Sequence, residues 1–356
     1  TLTGAYEKVS ALNPNTLWLG EGWRTFNGDA GAAAVTPADQ DAMAQTDAVA
    51  VFSDEVRNEL KSGFGIEGQP RFLTGGKRPV SLLFDNVRAQ PGNVRHDDPG
   101  DIVQYIEAHD NLTLHDVIAL SIKKDPKGHE EEILRRQRLG NALLLTHQGL
   151  IFLHSGQEYG RTKQFLHPDY ITRADTPPAK STFMADAQGQ PFEYPYFIHD
   201  SYDSSDAVNA FDWEKALNSP PHRHTVDYTR GLVTLRKSTD AFSYAHAEEV
   251  EELVKLILSP SINTVDLLLA FQTTSQVTGD TYLVAVNADS VPRVLDLGDY
   301  AFDLSHTQVL ADGQTAGTEP IADPVDVKLL VSEENDWLLG ALELQPLTAG
   351  VLKLTE

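Results

Sequence analysis

Acidic and imidazole side chains stand at the end of an apolar segment at residues 105–114 (YIEAHDNLTL). This strand-like run leads into His109, Asp110 and Asn111 before a helix-like pattern begins. An imidazole and a carboxylate at the end of a buried strand are costly to desolvate, so their presence there favours a functional site. The alternative is a turn in which Asn111 or Thr113 caps the next helix.

A second apolar segment, at residues 15–23 (NTLWLGEGW), delivers Glu21 between two glycines and beside Trp23. A carboxyl group against an aromatic ring has little local solvation, which suits a proton donor. The alternative is a strand-terminal turn in which the glycines serve only the backbone. The second strand end strengthens the functional interpretation of the first.

The composition excludes several kinds of function. Acidic residues exceed basic residues by 24, and no cluster of Lys and Arg interrupts this excess. Such a surface repels phosphate backbones and anionic membranes, so nucleic acid is not expected as a partner, whereas a neutral sugar is compatible with it. The sequence has no cysteine, which excludes disulfides, thiolate zinc sites and thiol catalysis. No apolar stretch reaches the roughly 18 residues that span a bilayer.

The first half of the sequence predicts repeated βα units around a parallel sheet. Short apolar runs lie at residues 16–19, 48–52, 102–106 and 150–154. Each ends in polar or glycine-rich sequence, and the intervening segments are long enough for helices, which is typical of parallel strands. The clearest helix is predicted over residues 129–147, with acidic residues at its start and Gly149 after its end.

The rest of the sequence changes character twice. Residues 160–213 lack periodicity but are rich in aromatic residues, which indicates a functional loop region. A helix is predicted at 226–237, and a weakly helical stretch at 248–256. From near Ala245 onward, regularly spaced strands predict an antiparallel β-sandwich. We therefore expect one domain at residues 1–244 and a β-sandwich domain at residues 245–356.

The motifs resemble those of the alpha-amylase clan, glycoside hydrolase family 13, and within it the type I pullulanases. The matching stretches are LGEGW, YIEAHDNLTL, GLIFLHSGQEYGRTK and SYDSSDAVNAFDW, followed by PLTAGVLKL in the last strand. The first four are distributed over most of residues 13–237. The resemblance implies an α/β fold made of the second half of a (β/α)8 TIM barrel, strands 5–8, followed by the antiparallel β-sandwich.

The same resemblance implies roles for three residues. Glu21 matches the general acid/base, Asp110 matches the carboxylate that holds the sugar distorted and favours the oxocarbenium-like transition state, and His109 binds hydroxyls of that sugar. The implied reaction is cleavage, with retention, of α-1,6 linkages in pullulan, branched starch dextrins or glycogen. Two alternatives stay open: an isoamylase-like or α-1,4-acting member of the clan, and a noncatalytic glycan-binding fragment.

One expected group is missing from the sequence. The family's aspartate nucleophile, in a GFRFD-like motif of the fourth strand, has no counterpart here. Retaining hydrolysis uses two carboxylates roughly 5 Å apart, and four strands cannot close a barrel. Since the sequence also begins at Thr1 rather than Met, we expect a second chain or a preceding segment that carries barrel strands 1–4 and the nucleophile.

Further residues are candidates for contact with the α-glucan substrate. They are Trp23, Asp54, Arg161, Tyr202, Asp206 and Asn209. Each has an alternative where its type suggests one: Asp54 could cap a helix, Arg161 could pair with Glu158, and Trp23 and Tyr202 could belong to the core.

No metal site is predicted. His222 and His224 in PPHRHT lack a third ligand in register, so a solvated loop is the better interpretation. No organic cofactor is needed. A calcium ion bound by loop carboxylates is compatible with the resemblance, but the sequence assigns it no ligands. The resemblance to enzymes exported by Gram-positive bacteria implies an extracellular or cell-surface location.

Overall fold

The computed structural model describes residues 2–26, 28, 35–166, 180–199, 201–202, 204–298, 307–334 and 337–354. Within these residues the helices are α1 (Leu2–Ser10), α2 (Asp54–Leu60), α3 (Val80–Val87), α4 (Leu114–Ile122), α5 (Pro126–Leu145), α6 (Asp206–Asn209), α7 (Trp213–Asn218), α8 (Pro220–Lys237) and α9 (Ala247–Leu253). None of them is long and apolar enough to cross a membrane.

The strands of the described residues fall into parallel and antiparallel groups. In chain order they are β1 (Leu19–Gly20), β2 (Ala50–Ser53), β3 (Arg78–Pro79), β4 (Ile102–Gln104), β5 (Leu150–Ile151), β6 (Ser181–Ala185), β7 (Pro191–Ile198), β8 (Val254–Leu256), β9 (Val265–Asp266), β10 (Leu268–Thr274), β11 (Thr281–Asn287), β12 (Arg293–Asp296), β13 (Gln308–Ala311), β14 (Val327–Glu334), β15 (Trp337–Leu344) and β16 (Thr348–Leu354). The chain therefore has a mixed α/β fold.

Four parallel strands form the sheet that carries the candidate site. Their order is β1-β2-β4-β5, which follows the chain. The strands stay in register as Leu19 opposite Ala50, Val51 opposite Ile102, and Val103 opposite Leu150. The predicted parallel sheet is confirmed, although the observed strands are short. Because all strands run the same way, the residues that follow them meet at one edge.

Helix α5 packs against α4 and α8 beside this sheet. A short first turn begins at Pro126, where Asp125 accepts a hydrogen bond from the Lys127 backbone N–H at 3.0 Å, and the regular helix follows close to the predicted start at residue 129. Non-helical backbone at residues 127–129 kinks this first turn. On the α8 side, the Asn141 amide donates to the Thr229 hydroxyl at 3.0 Å.

Helix α8 begins six residues before the predicted start, at Pro220, a residue type that suits the first turn of a helix. The expectation that His222 and His224 lie in a solvated loop is therefore wrong. His222 is buried, and its ring nitrogens face the Tyr159 carbonyl at 2.7 Å and Glu130 Oε1 at 2.6 Å. His224 Nε2 faces the Gln314 carbonyl at 2.6 Å. Both histidines connect α8 to its neighbours.

Residues 181–198 form a hairpin that the sequence interpretation missed. Strands β6 and β7 pair antiparallel, with Ser181 opposite Ile198 and Phe183 opposite Tyr196. The turn between them places Gly189 at a φ of 80°, a conformation that glycine adopts without a steric penalty. The region between α5 and α8 is thus partly ordered by its own short sheet.

The C-terminal strands form two antiparallel sheets, as predicted. One has the order β13-β16-β11-β10-β8 and the other the order β12-β15-β14. Leu268, Leu283, Leu295 and Leu342 are fully buried in a cluster that both sheets share. The stretch predicted as weakly helical divides into α9 and β8.

Strand β10 is apolar on both faces. Leu268 and Ala270 belong to the cluster shared by the two antiparallel sheets, while Leu269 and Phe271 belong to the large cluster that includes α3, α4 and α5. Alternate side chains of a strand point to opposite faces, so β10 connects the two cores. The Phe271 ring lies 6.5 Å from the Phe84 ring of α3 between ring centres. The expected division at residue 245 stays a prediction, and residues on both sides of it share one core.

Replacing Phe271 by alanine tests this shared core. Phe271 is 1% exposed, so we expect Phe271→Ala to lower the free energy of unfolding by about 3–5 kcal/mol. Urea unfolding followed by tryptophan fluorescence measures the change. Val277→Ala, at a position that is 82% exposed, serves as the control. A loss no larger than that of the control would contradict the role assigned to β10.

Candidate active site

A cavity of about 460 Å³ opens at the carboxyl-end edge of the parallel sheet. Residues that lie in or follow the four parallel strands meet there. The lining consists of Glu21, Trp23, Phe52, Asp54, Arg57, Phe64, Tyr105, Ala108, His109, Asp110 and Phe152. The structure therefore brings together the two strand ends that the sequence singled out.

Glu21 follows β1 directly and faces the histidine of the second strand end. Its Oε1 lies 3.7 Å from His109 Nε2, and its side chain is 50% exposed. The neighbouring Gly22 is needed for this placement, because a Cβ atom there would lie 2.5 Å from Cγ1 of Val51 in β2. Trp23 is partly buried against the aromatic cluster of Phe52 and Tyr105. Glu21 is thus better solvated than the sequence predicted.

The turn at residues 109–111 aims two further polar side chains at the cavity. His109 Nε2 lies 3.4 Å from Asp110 Oδ1. Asn111 has a φ of 64°, a left-handed conformation that asparagine tolerates better than most residues. Thr113 accepts a hydrogen bond from the Asp116 backbone N–H at 3.2 Å and caps α4. The capping alternative is therefore correct for Thr113, while His109 and Asp110 line the cavity.

Asp54 occupies the first turn of α2, after β2. Its carboxylate accepts hydrogen bonds from Gln40 Nε2 at 3.4 Å and from the Asn93 amide, and it lies 3.6 Å from an Arg57 nitrogen. A carboxylate at this position also stabilises the helix through the helix dipole. Asp54 lines the cavity as well. Asp54 therefore stabilises the start of α2 and also lines the cavity.

Arg57 fixes the aromatic wall of the cavity. It donates a hydrogen bond to the Tyr105 hydroxyl at 2.8 Å, and its guanidinium lies 5.1 Å from the centre of the Phe64 ring. Burial raises the pKa of Tyr105 to about 12, so the phenol stays neutral at physiological pH. Phe64 is 57% exposed at the cavity mouth. An exposed ring of this kind offers a flat apolar surface to a ligand.

Four other residues proposed for substrate contact lie outside the lining of this cavity: Arg161, Tyr202, Asp206 and Asn209. Arg161 is 7% exposed and donates to the Asn209 side-chain oxygen at 3.0 Å. The Asn209 amide in turn donates to the Ser201 and Ser204 carbonyls at 2.7 and 2.9 Å. These contacts hold the segment around α6, whereas the Tyr202 and Asp206 side chains are exposed. The expected pairing of Arg161 with Glu158 is replaced by the one with Asn209.

The structure adds cavity residues that the sequence interpretation did not propose: Phe52, Phe64, Tyr105, Ala108 and Phe152. Several of them stand in or just after the strands, where the alternation of side chains decides which face they take. Arg57 also lines the cavity, and the sequence places it with Asp54 after the second strand, on the side expected for the substrate. Phe64 follows α2 in an irregular segment, and the sequence carries no periodic signal for its position.

Within the described part of the chain, Glu21, His109 and Asp110 form a group whose ligand atoms lie within 4.8 Å of one another. Calcium takes about six to eight oxygen ligands. This group offers two carboxylates and one imidazole nitrogen, and each of the three side chains is about half exposed. Its donor set does not fit a calcium site, and the arrangement suits proton transfer and hydrogen bonding to a ligand.

Solved structures with a similar fold include pullulanases and the catalytic module of a glycogen-degrading protein. The chain is 49% identical to the catalytic module of the pneumococcal virulence factor SpuA, described as glycogen-degrading, with a TM-score of 0.91 over 99% of this chain and 50% of that one. It is 51% identical to the Group B Streptococcus pullulanase SAP in complex with maltotetraose, with a TM-score of 0.89 over 99% of this chain and 45% of that one. A Bacillus acidopullulyticus pullulanase at 20% identity, with a TM-score of 0.71, shares the fold.

Curated sequences agree with this class. Pullulanase A of Streptococcus pneumoniae is 51% identical over 99% of this chain, which covers 27% of that protein. Residues 253–355 match the family model described as SpuA C-terminal. The resemblance to the pullulanases of glycoside hydrolase family 13 is therefore confirmed. The chain spans about a quarter of the curated pneumococcal relative and about half of the solved SpuA module.

The buried position of Arg161 leads to a prediction about the segment at residues 204–210. Replacing Arg161 by methionine removes the hydrogen bonds to the Val208 carbonyl and to Asn209. We expect faster amide hydrogen exchange at these residues, because their opening free energy falls. Mass spectrometry of exchanged peptides measures it. Arg223→Met, which breaks an exposed pair with Asp227, is the control, and equal exchange in both variants would contradict the supporting role of Arg161.

Proposed function

We propose that this chain is the C-terminal half of a pullulanase catalytic module. It supplies strands 5–8 of a (β/α)8 barrel and the following antiparallel domain, and it takes part in the hydrolysis of α-1,6-glucosidic linkages with retention. Its substrates are pullulan, branched starch dextrins or glycogen. The observation that carries the proposal is the meeting of Glu21, His109 and Asp110 in one cavity at the carboxyl ends of parallel strands.

The arrangement suits the first step of glycoside hydrolysis. Glu21, half exposed at the cavity, protonates the glycosidic oxygen while an aspartate from the other half of the barrel attacks the anomeric carbon. The C–O bond to the leaving sugar breaks as the glycosyl-enzyme bond forms. Glu21 then takes a proton from water, which attacks the same carbon and releases the nucleophile. Asp110 stabilises the positive charge that develops on the sugar ring, and His109 binds its hydroxyl groups.

The wall of the cavity is compatible with an α-glucan. Trp23 and Phe64 present aromatic surface to the apolar faces of sugar rings, while Asp54 accepts hydrogen bonds from hydroxyl groups. Two related proteins bind or degrade α-glucans: SAP was solved in complex with maltotetraose, and SpuA is described as glycogen-degrading. Tyr202 and Asp206 contribute to more distant sugar positions in this proposal, while Arg161 and Asn209 hold the segment that carries them.

The other half of the barrel is the main partner that we propose. Strands β1 and β5 stand at the two edges of the parallel sheet, so each has an edge to which another strand can pair. None of the residues of α1 is buried, and Leu12, Leu17 and Leu19 are exposed apolar residues beside the first strand. A preceding segment or a second chain with barrel strands 1–4 covers this surface and brings the nucleophile.

Two alternatives differ from this proposal in measurable ways. An isoamylase-like or α-1,4-acting enzyme of the same clan differs in its initial rates on pullulan and amylose. A noncatalytic glycan-binding fragment binds oligosaccharides without turnover even with all its natural chains present. Since the related enzymes are streptococcal pullulanases, we also propose an extracellular or cell-surface location, and no organic cofactor.

Replacing Glu21 by glutamine tests the proposed acid/base. The amide keeps the size of the side chain but cannot transfer the proton, so we expect pullulan hydrolysis to fall by about 10²–10⁴-fold. Release of reducing ends measures the rate. Glu248→Gln, an exposed residue in the first turn of α9, should keep the wild-type rate. Unchanged activity in Glu21→Gln would exclude Glu21 as the acid/base.

Native mass spectrometry of the active preparation tests the proposed partner. We expect a second polypeptide, or a longer chain, that contains the missing strands and an aspartate nucleophile. A lone 39.1 kDa chain that is folded and binds maltotetraose without hydrolysing pullulan would support the glycan-binding alternative instead.

A further inference from the structure

Two carbonyl groups on either side of Asp110 accept hydrogen bonds from one buried lysine. Lys163 Nζ lies 2.6 Å from the His109 carbonyl oxygen and 2.7 Å from the Asn111 carbonyl oxygen. The residue is 1% exposed. The ammonium group therefore clamps both ends of the short segment whose centre is Asp110. Hydrogen bonds from a charged donor are roughly twice as strong as neutral ones.

The backbone of Lys163 is itself anchored, so its side chain is aimed at the turn. Its N–H donates to Asp116 Oδ2 at 2.8 Å, and the preceding Thr162 hydroxyl donates to Asp116 Oδ1 at 2.5 Å. Asp116 is fully buried in the first turn of α4. Asp116 of α4 thus holds the backbone of Lys163 in place next to the turn at residues 109–111, which we call the catalytic turn.

Two more groups reinforce the turn from other elements. The Lys61 ammonium group, fully buried just after α2, donates to the Leu112 carbonyl oxygen. The Ser201 hydroxyl donates to the His109 carbonyl oxygen at 3.2 Å. Ser201 also accepts a hydrogen bond from Asn209 at its carbonyl. The catalytic turn is therefore tied both to the α2 region and to the segment around α6.

The charges near Lys163 keep it protonated in spite of burial. Burial lowers the pKa of Lys163 to about 8, and the negative charges of Asp116, Glu107 and Asp110 oppose this fall while Arg161 adds to it. Burial also lowers the pKa of Lys61 to about 7. A buried ammonium group is costly, and apolar side chains of the same size could fill the same space. The presence of lysines here therefore indicates a role other than packing.

We propose that Lys163 is a positioning residue that holds Asp110 in place for catalysis by clamping the His109 and Asn111 carbonyls. This inference rests on the proposed function, in which Asp110 stabilises the transition state. Asn111 follows Asp110 in a left-handed backbone conformation, and the hydrogen bond from Lys163 to its carbonyl fixes this side of the turn. A shift of Asp110 by about 1 Å is enough to cost about 100-fold in rate.

The test replaces Lys163 by methionine, which keeps the length of the side chain and removes its donors. In the preparation that hydrolyses pullulan, with the other half of the barrel present, we expect kcat to fall by about 100-fold with KM little changed. Lys163→Arg, which restores a charged donor, should recover part of kcat. Lys127→Met, at an exposed lysine paired with Glu193, should match the wild type.

A second readout does not depend on catalysis. Amide hydrogen exchange at residues 109–112 should rise in Lys163→Met and stay unchanged in Lys127→Met. Normal kcat together with unchanged exchange would overturn the inference. If the wild type itself does not hydrolyse pullulan, the proposed function fails, and faster exchange at residues 109–112 would still establish the clamp.

A third variant covers failure of Lys163→Met to fold. Ser201→Ala removes the second donor to the His109 carbonyl, at a residue that is 2% exposed, and it leaves the buried charges intact. We expect a smaller loss of kcat than for Lys163→Met, with faster exchange at residue 109. Wild-type kcat and wild-type exchange at residue 109 in this variant would contradict the clamp.

Discussion

Parallel pairing of four strands is the constraint on which the rest of this structure depends. Glu21, Asp54 and the turn at residues 109–111 lie far apart in sequence, and they meet only because β1, β2 and β4 run in the same direction and end at one edge. The close approach of Gly22 to Val51 shows how tightly this edge is built. Any change in the register of these strands would move Glu21 away from His109.

Much of the fold could be predicted from the sequence because its strong signals are local. Apolar runs bounded by polar or glycine-rich sequence identify the parallel strands, and regular spacing with turn signals identifies those after residue 265. The two polar strand ends were also readable, since Glu21, His109 and Asp110 interrupt apolar runs. The roles of these three residues came from the resemblance to the pullulanases, and their mutual distances required the structure.

The features that sequence reasoning missed depend on contacts between distant segments. The partly buried His224 and the buried His222 are acceptable in a helix because Gln314 and Glu130 lie opposite them, which no local pattern reveals. Arg161 looked available for a ligand, but it is used by Asn209. The hairpin of β6 and β7 lies between segments without periodicity. In each case tertiary contacts, rather than local propensity, decide the outcome.

The two-faced burial of β10 has a consequence for how such proteins can be recombined. Leu269 and Phe271 pack in the core that contains α3, α4 and α5, whereas Leu268 and Ala270 pack between the antiparallel sheets. The C-terminal strands therefore cannot be exchanged between relatives as an independent domain. In a chimera, the β10 strand taken from a relative must pack against Phe84 of α3 on one face and against the antiparallel sheets on the other. Substitutions on α3 and on β10 should therefore be correlated among related proteins.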